Sequence, residues 1–453
     1  MNKFTEHTDV LVIGGGTAGT IAAIQAARAG VRTTMVEADG QLGGTTTSRG
    51  VHSIGYFHAW GRQVIAGIGW ELVTRTKELD NDPFPDYINP PKPADGKTPP
   101  EGRPSHYTHL NRCLFPLIAE EAAVAAGVNL HFRELATDVR QDGDLWKVTC
   151  IGKGIKRVIS AVELIDCTGD ADLVGMLGFA REKGEPCQPG TLEFKLTGIN
   201  VKNLEMAEII EERYQAALRT GQLLENDYNR MHNHPFMQFL YSQGWNAQHV
   251  PGADSSTSAS QSQANIAGRA SLLRLLRFVK TLKGCENVRL EWASQDSAIR
   301  ETYRIIGEMR VTREDYMRGR VFPDAVCWSI FFIDLHEDQG GITEFLPKGT
   351  VPTIPLGALI PRGSRNLLVA GRCLSSDRLA NSALRIQPSC MAMGQAAGAA
   401  AALGVQLGKA SRDVPMPALR LLLREHKALV PMTDDVPEGE SAHATHPTSK
   451  RSA

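Results

Sequence analysis

Residues 9–13 (DVLVI) are a short apolar run that enters three glycines, and residues 17–29 then repeat apolar positions every 3.6 residues. The run has the length of a buried strand, and the repeat is that of a helix. Residues 31–36 give a second strand, and 128–133, 146–151 and 157–166 three more. A helix is expected over 109–126, closed by Gly127 as a C-cap. Beyond about Gly184 the pattern changes character. Helices are expected at 204–221 and 264–282, and residues 325–334 (AVCWSIFFID) read as one apolar strand. A strand at 366–371, an alanine-rich helix at 389–403 and an amphipathic helix at 417–429 close the ordered part. Residues 81–104 are proline-dense and read as a loop; the polar tail 433–453 reads as disordered.

Strands alternating with helices predict an α/β fold with a Rossmann-like, parallel-sheet domain. At 453 residues the chain is too long for one compact core. We expect a nucleotide-binding domain split between 1–181 and 353–408, with an inserted α+β cap at 182–352 and a C-terminal helix within 409–432. The 49 basic residues balance 50 acidic ones, for a net charge of −1, so no basic excess points to nucleic acid. Eight cysteines occur without any CxxC pair, which excludes a zinc ribbon or redox dithiol motif and fits core thiols in a reducing compartment. The N-terminus lacks the basic region and cleavage site of a signal peptide. No run reaches the roughly 18 consecutive apolar residues of a membrane span, so a cytoplasmic protein is expected.

The first chemistry lies in Gly14-x-Gly16-x-x-Gly19, between the first strand and helix. Gly14 permits the tight turn, Gly16 lets backbone approach a pyrophosphate, and Gly19 lets the helix pack on the strand. The helix N-terminus then offers free N–H groups and a positive dipole end to the phosphates. Glu37 ends the second strand at about the 20-residue separation of a ribose-binding acid. The bare pair Gly43-Gly44 follows closely, an arrangement that resembles FAD-binding flavoproteins of the glutathione reductase type, particularly the fumarate reductase-like branch.

Two distant stretches carry the same resemblance. "LIDCTGDADLVGMLG" (164–178) is similar to the ATGD strand end of those proteins, and "NLLVAGRCLS" followed by the alanine-rich helix to their C-terminal flavin segment. With "QPGTLEFKLTG" (188–198) and "RETYRIIGEMRVTREDYMRGRVFPDAV" (300–326) in fixed order, the chain resembles the bacterial FAD-dependent oxidoreductase family, many of whose members have no assigned substrate. The resemblance implies FAD as cofactor. It puts contacts on Gly14, Gly16, Thr17, Ala18 and Gly19 in the first turn, and on Glu37, Ala38, Gly43, Gly44 and Thr45 after the second strand. It adds Val139, then Thr168, Gly169 and Asp170 in the middle, and Gly371, Arg372, Ser389 and Cys390 near the C-terminus. The start of the 389 helix would face the flavin pyrimidine, where reduced flavin carries negative charge.

There is no second GxGxxG unit and no CxxC, so an integral NAD(P)H domain and a disulfide-reductase mechanism are poor fits. The electron partner is then a second substrate, oxygen or another protein, and the oligomeric state stays open. "IDLHE" puts Asp334 and His336 two apart, on one face of a strand, and His336 is the candidate acid/base for hydride transfer to or from flavin N5. Arg300 and Tyr303 in "RETYR" are candidates for orienting a polar small-molecule substrate. Arg300 and Arg304 would share a face if that segment were helical, with salt bridges to Glu301 or Glu308 as the plainer role. His52 does not match a covalent-flavin motif, His232 and His234 lack metal-ligand partners, and Cys373 reads as a packed thiol, so no metal site is expected. Two other functions fit the same motifs: an ene-type reductase of an unsaturated acid, which needs an arginine donor and a carboxylate-binding cluster, and a flavin-bound electron-transfer or scaffold protein.

Overall fold

The computed structural model describes residues 1–84, 86–87, 107–229, 235–338 and 340–431. Most of the proline-rich stretch, His232, His234 and the tail lie outside them. The central sheet has seven strands. Strand β1 (Asn2–Ile13) runs parallel to β2 (Thr33–Glu37), and β2 to β3 (Asn129–Phe132). On its other side β1 pairs in parallel with β6 (Ile155–Asp166), which pairs in parallel with Leu367–Val369. A meander of β4 (Glu134–Asp142) and β5 (Leu145–Gly152) extends the sheet antiparallel to the first half of β6. β1 is longer than its apolar run because Asn2–Thr8 pair with Ile155–Ala161 using mostly exposed side chains, which leave no hydrophobic signature. β4 escaped the sequence reading for the same reason, its outward positions being polar and solvated.

Helix α1 (Thr17–Arg28) and helix α2 (Gln387–Leu407) pack side by side under the sheet. Their approach is very close: a Cβ on Gly394 would lie 2.1 Å from the Ala18 carbonyl oxygen, and one on Gly398 2.2 Å from that of Ala22. Only glycine on one helix against alanine on the other allows that spacing. Among the described residues α2 is the one helix long and apolar enough to cross a bilayer, and most of it is buried inside the fold.

The inserted region divides in two. Leu192, Phe194, Leu196, Tyr214, Phe236, Phe239 and Phe278 build a separate core, closed over strand β7 (Phe194–Thr197) and the helices Ala207–Arg219 and Ser258–Val279. Val311, Tyr316, Phe322, Phe331 and Leu346 instead join the large core around α1 and α2. The cap core thus ends well before residue 352, because the 311–346 segment buries its apolar side against the nucleotide domain. The 325–334 run is two strands rather than one. Ala325–Trp328 pairs with Thr353–Pro355, and Ile333–His336 with Gly341–Glu344. Between them the chain turns, held by Tyr316 donating to the Phe331 carbonyl at 2.6 Å and by Ser329 against Ser389 at 2.8 Å. "RETYR" is likewise not helical: Tyr303–Ile305 is a strand paired with Arg181–Lys183.

Candidate functional site

The parallel strands stop in line, and Ile13, Glu37, Cys167 and Ala370 at their C-terminal ends open onto one cleft of about 280 Å³. Open α/β sheets bind their ligands at this edge. Gly14 turns the chain there with φ +98°, and a Cβ on it would lie 2.5 Å from the Cys167 carbonyl oxygen. Gly16 is different: a Cβ there would meet nothing within 4 Å, so its backbone faces open cleft. Helix α1 begins immediately after, with no capping side chain and no acid in its first turn. Its first N–H groups therefore wait for an anion.

At one end Glu37 accepts hydrogen bonds from the Gly15 N–H and, at 2.6 Å, from the Asp39 N–H. Burial raises its carboxyl from the ordinary range, and those two N–H donors oppose the rise. In the middle, Asp170 is a knot between the two domains. Its carboxylate accepts from Arg372, from Ser255 at 2.9 Å and from Thr302, the last two both in the inserted region. Arg372 also donates to the Ile299 carbonyl at 3.1 Å.

The far end is formed by the start of α2, again without a capping side chain. Gln387 spans it, bonded to Thr46 and to the Val51 carbonyl at 3.2 Å. Two arginines line this end. Arg300 donates to the Pro189 carbonyl and, at 3.3 Å, to Asn246; Arg385 donates to the Asp334 carbonyl at 3.1 Å and to Gln188 at 3.4 Å. Neither forms an ion pair with a carboxylate of the described residues, and the Arg385 Nε has no partner. Burial, with Arg385 beside it, lowers Arg300 to about 9. Asp334 acts on both arginines but offsets only part of two buried positive charges, so this end of the cleft suits added negative charge.

Most residues expected to touch the cofactor line this cleft: Gly14, Gly16, Thr17, Ala18, Glu37, Ala38, Gly44, Thr45, Thr168, Gly169, Asp170, Gly371, Arg372 and Cys390. Four do not. Gly19 packs beneath, where a Cβ would strike the Gly14 carbonyl oxygen at 1.8 Å, and Gly43 donates its N–H to Gly15 at 2.8 Å as a brace. Ser389 is buried against Ser329, and Val139 points into the core beside Val148 while Leu135 and Ala136 take the cleft edge.

The candidate catalytic residues separate. Arg300 is in the cleft wall; His336 and Tyr303 are not. The Tyr303 ring lies under the Arg181 guanidinium at 3.8 Å. Arg304 pairs with Glu182 at 3.4 Å and Glu301 at 3.7 Å, the plainer of its two roles. Asp334 and His336 do share a face, 3.2 Å apart, and the second His336 nitrogen lies 3.0 Å from His249. Burial first, then Arg300, holds His336 down at about 4. Burial alone would raise Asp334, but its bond to His336 and the nearby positive charges bring it to about 2. His52 packs against Trp245 at a tilt, ring centroids 4.0 Å apart, away from the cleft lining, and Cys373 is a fully buried core thiol. Sequence reasoning missed Arg385, which lies between the "NLLVAGRCLS" stretch and the alanine-rich helix, just before α2. It also missed Gln188, the first residue of "QPGTLEFKLTG", and His249, which no motif marks.

Two uncapped helix ends, bare glycine backbone between them, an acid at one end and cations at the other define an α/β protein that binds a dinucleotide. The FAD dependent oxidoreductase family matches residues 9–423, and the chain belongs to that family. It is an enzyme that uses FAD, and this cleft has the donor set FAD requires: N–H groups for the pyrophosphate, Glu37 for a ribose and a positive end for the flavin. A comparison with proteins of curated function gives no significant match. Among solved structures the chain is similar to a geranylgeranyl bacteriochlorophyll reductase-like protein of Thermoplasma acidophilum (11% identity, 93% of this chain and 83% of that one, TM-score 0.41). It is also similar to the anhydrotetracycline hydroxylase OxyS of Streptomyces rimosus (11%, 93% and 66%, 0.41) and to the flavin-dependent brominase Bmp2 (15%, 92% and 84%, 0.44).

Proposed function

We propose that this oxidoreductase transfers a hydride between flavin N5 and a small polar organic substrate that carries an anionic group, with an external electron partner completing the cycle. The observation that supports this is the pair Arg300 and Arg385, buried at the far end of the cleft without a carboxylate partner. Their forked donors suit a planar carboxylate and would fix its orientation. FAD supplies the two-electron chemistry; the protein's residues bind, orient and handle the proton. Asp334 and His336 stand directly behind the arginines, joined to Arg385 through the Asp334 carbonyl and Gln188. Both ring nitrogens of His336 are engaged, so its part is to hold and position a proton rather than to touch substrate first. The reverse, ene-type reduction of an unsaturated acid, would use the same arginines, with Arg300, lowered by burial and by Arg385 beside it, as the donor in the cleft wall. Anaerobic bleaching of the flavin across hydroxy acids, alcohols, sugars and amines tests the first direction. Reoxidation of reduced enzyme by unsaturated acids tests the second. No response from any carboxylate-bearing compound in either assay would overturn the anionic-substrate reading.

A further inference from the structure

Behind the arginine pair a row of hydrogen bonds runs Asp334 Oδ2 to His336 Nε2 at 3.2 Å, then His336 Nδ1 to His249 Nε2 at 3.0 Å. Both imidazoles are buried, at 8% and 3% exposure. An ionised carboxylate can only accept, so His336 carries its hydrogen on Nε2 and donates to Asp334. Its Nδ1 is then a lone pair and accepts from His249 Nε2–H. That leaves His249 Nδ1 without a hydrogen, in a setting where the Asp338 backbone carbonyl favours the protonated ring. The chain is one proton short of complete: a proton on His249 Nδ1 would give every nitrogen of the two rings a satisfied hydrogen bond.

The groups around this row oppose that proton while the cleft is neutral. Arg300 faces both imidazoles, and Arg385, from the end of the helix Arg378–Leu384, faces His336 and Asp334. Glu193 at the edge of β7 acts on Arg300, and Glu301 on Arg385, so neither carboxyl is an immediate partner of the rings. Burial and Arg300 keep His249 at about 2 and His336 at about 4. Negative charge beside the two arginines would cancel the opposition.

We propose that Asp334, His336 and His249 form a proton-holding chain that takes up one proton, on His249, when negative charge appears at the arginine end of the cleft. This rests on the reading that the flavin ring lies at that end. Two electrons and one proton delivered to the cofactor leave one net negative charge, and the second proton goes to His249, so two electrons and two protons enter together. His249 is thus a positioning residue of the reaction.

The test needs no substrate. The midpoint potential of the FAD-loaded enzyme is measured against pH between 5 and 7, with dithionite as reductant, for wild type, His249→Gln and His336→Gln. Each additional proton taken up changes the two-electron equilibrium tenfold per pH unit, about 30 mV. The expected wild-type slope is steeper than that of either variant by that amount. Equal slopes in three proteins that all hold FAD overturn the proposal, and protonation of the flavin itself would give such equal slopes. A protein that holds no FAD overturns the reading of the cleft instead. Imidazole N–H proton resonances of the cofactor-free protein give a second readout. Two hydrogen-bonded ring N–H signals are expected in wild type, His336 Nε2–H on Asp334 and His249 Nε2–H on His336; His249→Gln should lose the second and keep the first, His336→Gln should lose the first, and absence of both from the wild type overturns the hydrogen-bonded chain.

Discussion

Replacing Arg300 by methionine should stabilise the cofactor-free protein while removing its function. At pH 7 the guanidinium is charged in both folded and unfolded chains, since its folded-state value of about 9 still lies above 7. The fall from 12.5 to about 9 therefore represents a penalty of about 5 kcal/mol on the folded, charged form, at about 1.4 kcal/mol per unit. Methionine fills most of the same volume without that penalty, but it strips the Pro189 carbonyl and Asn246 of a donor. Those two losses cost about 1 to 1.5 kcal/mol each. The net gain is about 2 kcal/mol, or roughly 2–4 °C in the unfolding midpoint of a chain this large. The same change removes one prong of the substrate grip, so bleaching of the flavin by the best substrate should fall at least a hundredfold while FAD remains bound. Thermal melts of both proteins, with FAD stoichiometry and anaerobic stopped-flow reduction, measure all three quantities. A drop in midpoint of several degrees would show that Arg300 is a structural strut. Unchanged reduction would remove it from the substrate site.

Two glycines make opposite predictions from the same cleft. Gly16→Ala has open space at its Cβ and an ordinary φ of −62°, so the melt should move by no more than about a degree while FAD affinity falls at least tenfold in a fluorescence titration. Gly19→Ala would put a Cβ 1.8 Å from the Gly14 carbonyl oxygen and should abolish soluble folded protein, read by expression and circular dichroism. Glu37→Gln loses a charged acceptor for two N–H groups and should weaken FAD binding by about 1.5–3 kcal/mol in the same titration. Glu163 is fully buried, with one oxygen unpartnered and its carboxyl raised from 4.5 to about 8. Its raised value means the stability it contributes is complete below pH 4.5 and is lost as pH climbs to about 8. Relative to wild type, Glu163→Gln should therefore gain about 1.4 kcal/mol per pH unit across that window, and denaturant melts at pH 5, 6.5 and 8 would show it.

The nucleotide half of the fold was legible because its signals are local. Three glycines between a strand and a helix, an acid at the end of the next strand, and an alanine-rich helix each have a short-range cause. The cap and the substrate end were not, for identifiable reasons. The 325–334 run looks continuous because both strands and the turn between them are buried, and a single small Ser329 is the one polar residue at the break. β4 failed the opposite way, being too polar to announce itself. Arg300 and Arg385 come from places 85 residues apart, and His249 meets His336 across 87, so only the packing of cap on nucleotide domain joins them. Val139, implied by the family resemblance alone, lies past a β-bulge between Ala136 and Asp138, and the cleft edge falls three residues earlier at Ala136.

With the flavin in this cleft, the Asp170 knot would restrict how molecules reach it. Swinging the inserted region away would strip a buried carboxylate of Ser255 and Thr302 and leave Arg372 half-paired. Such a clasp resists wholesale opening, and with it shut the seam between the two domains would be the way in. Size selection then belongs to the width of that seam, and a bulky side chain placed along it would exclude large substrates while leaving small ones their normal turnover.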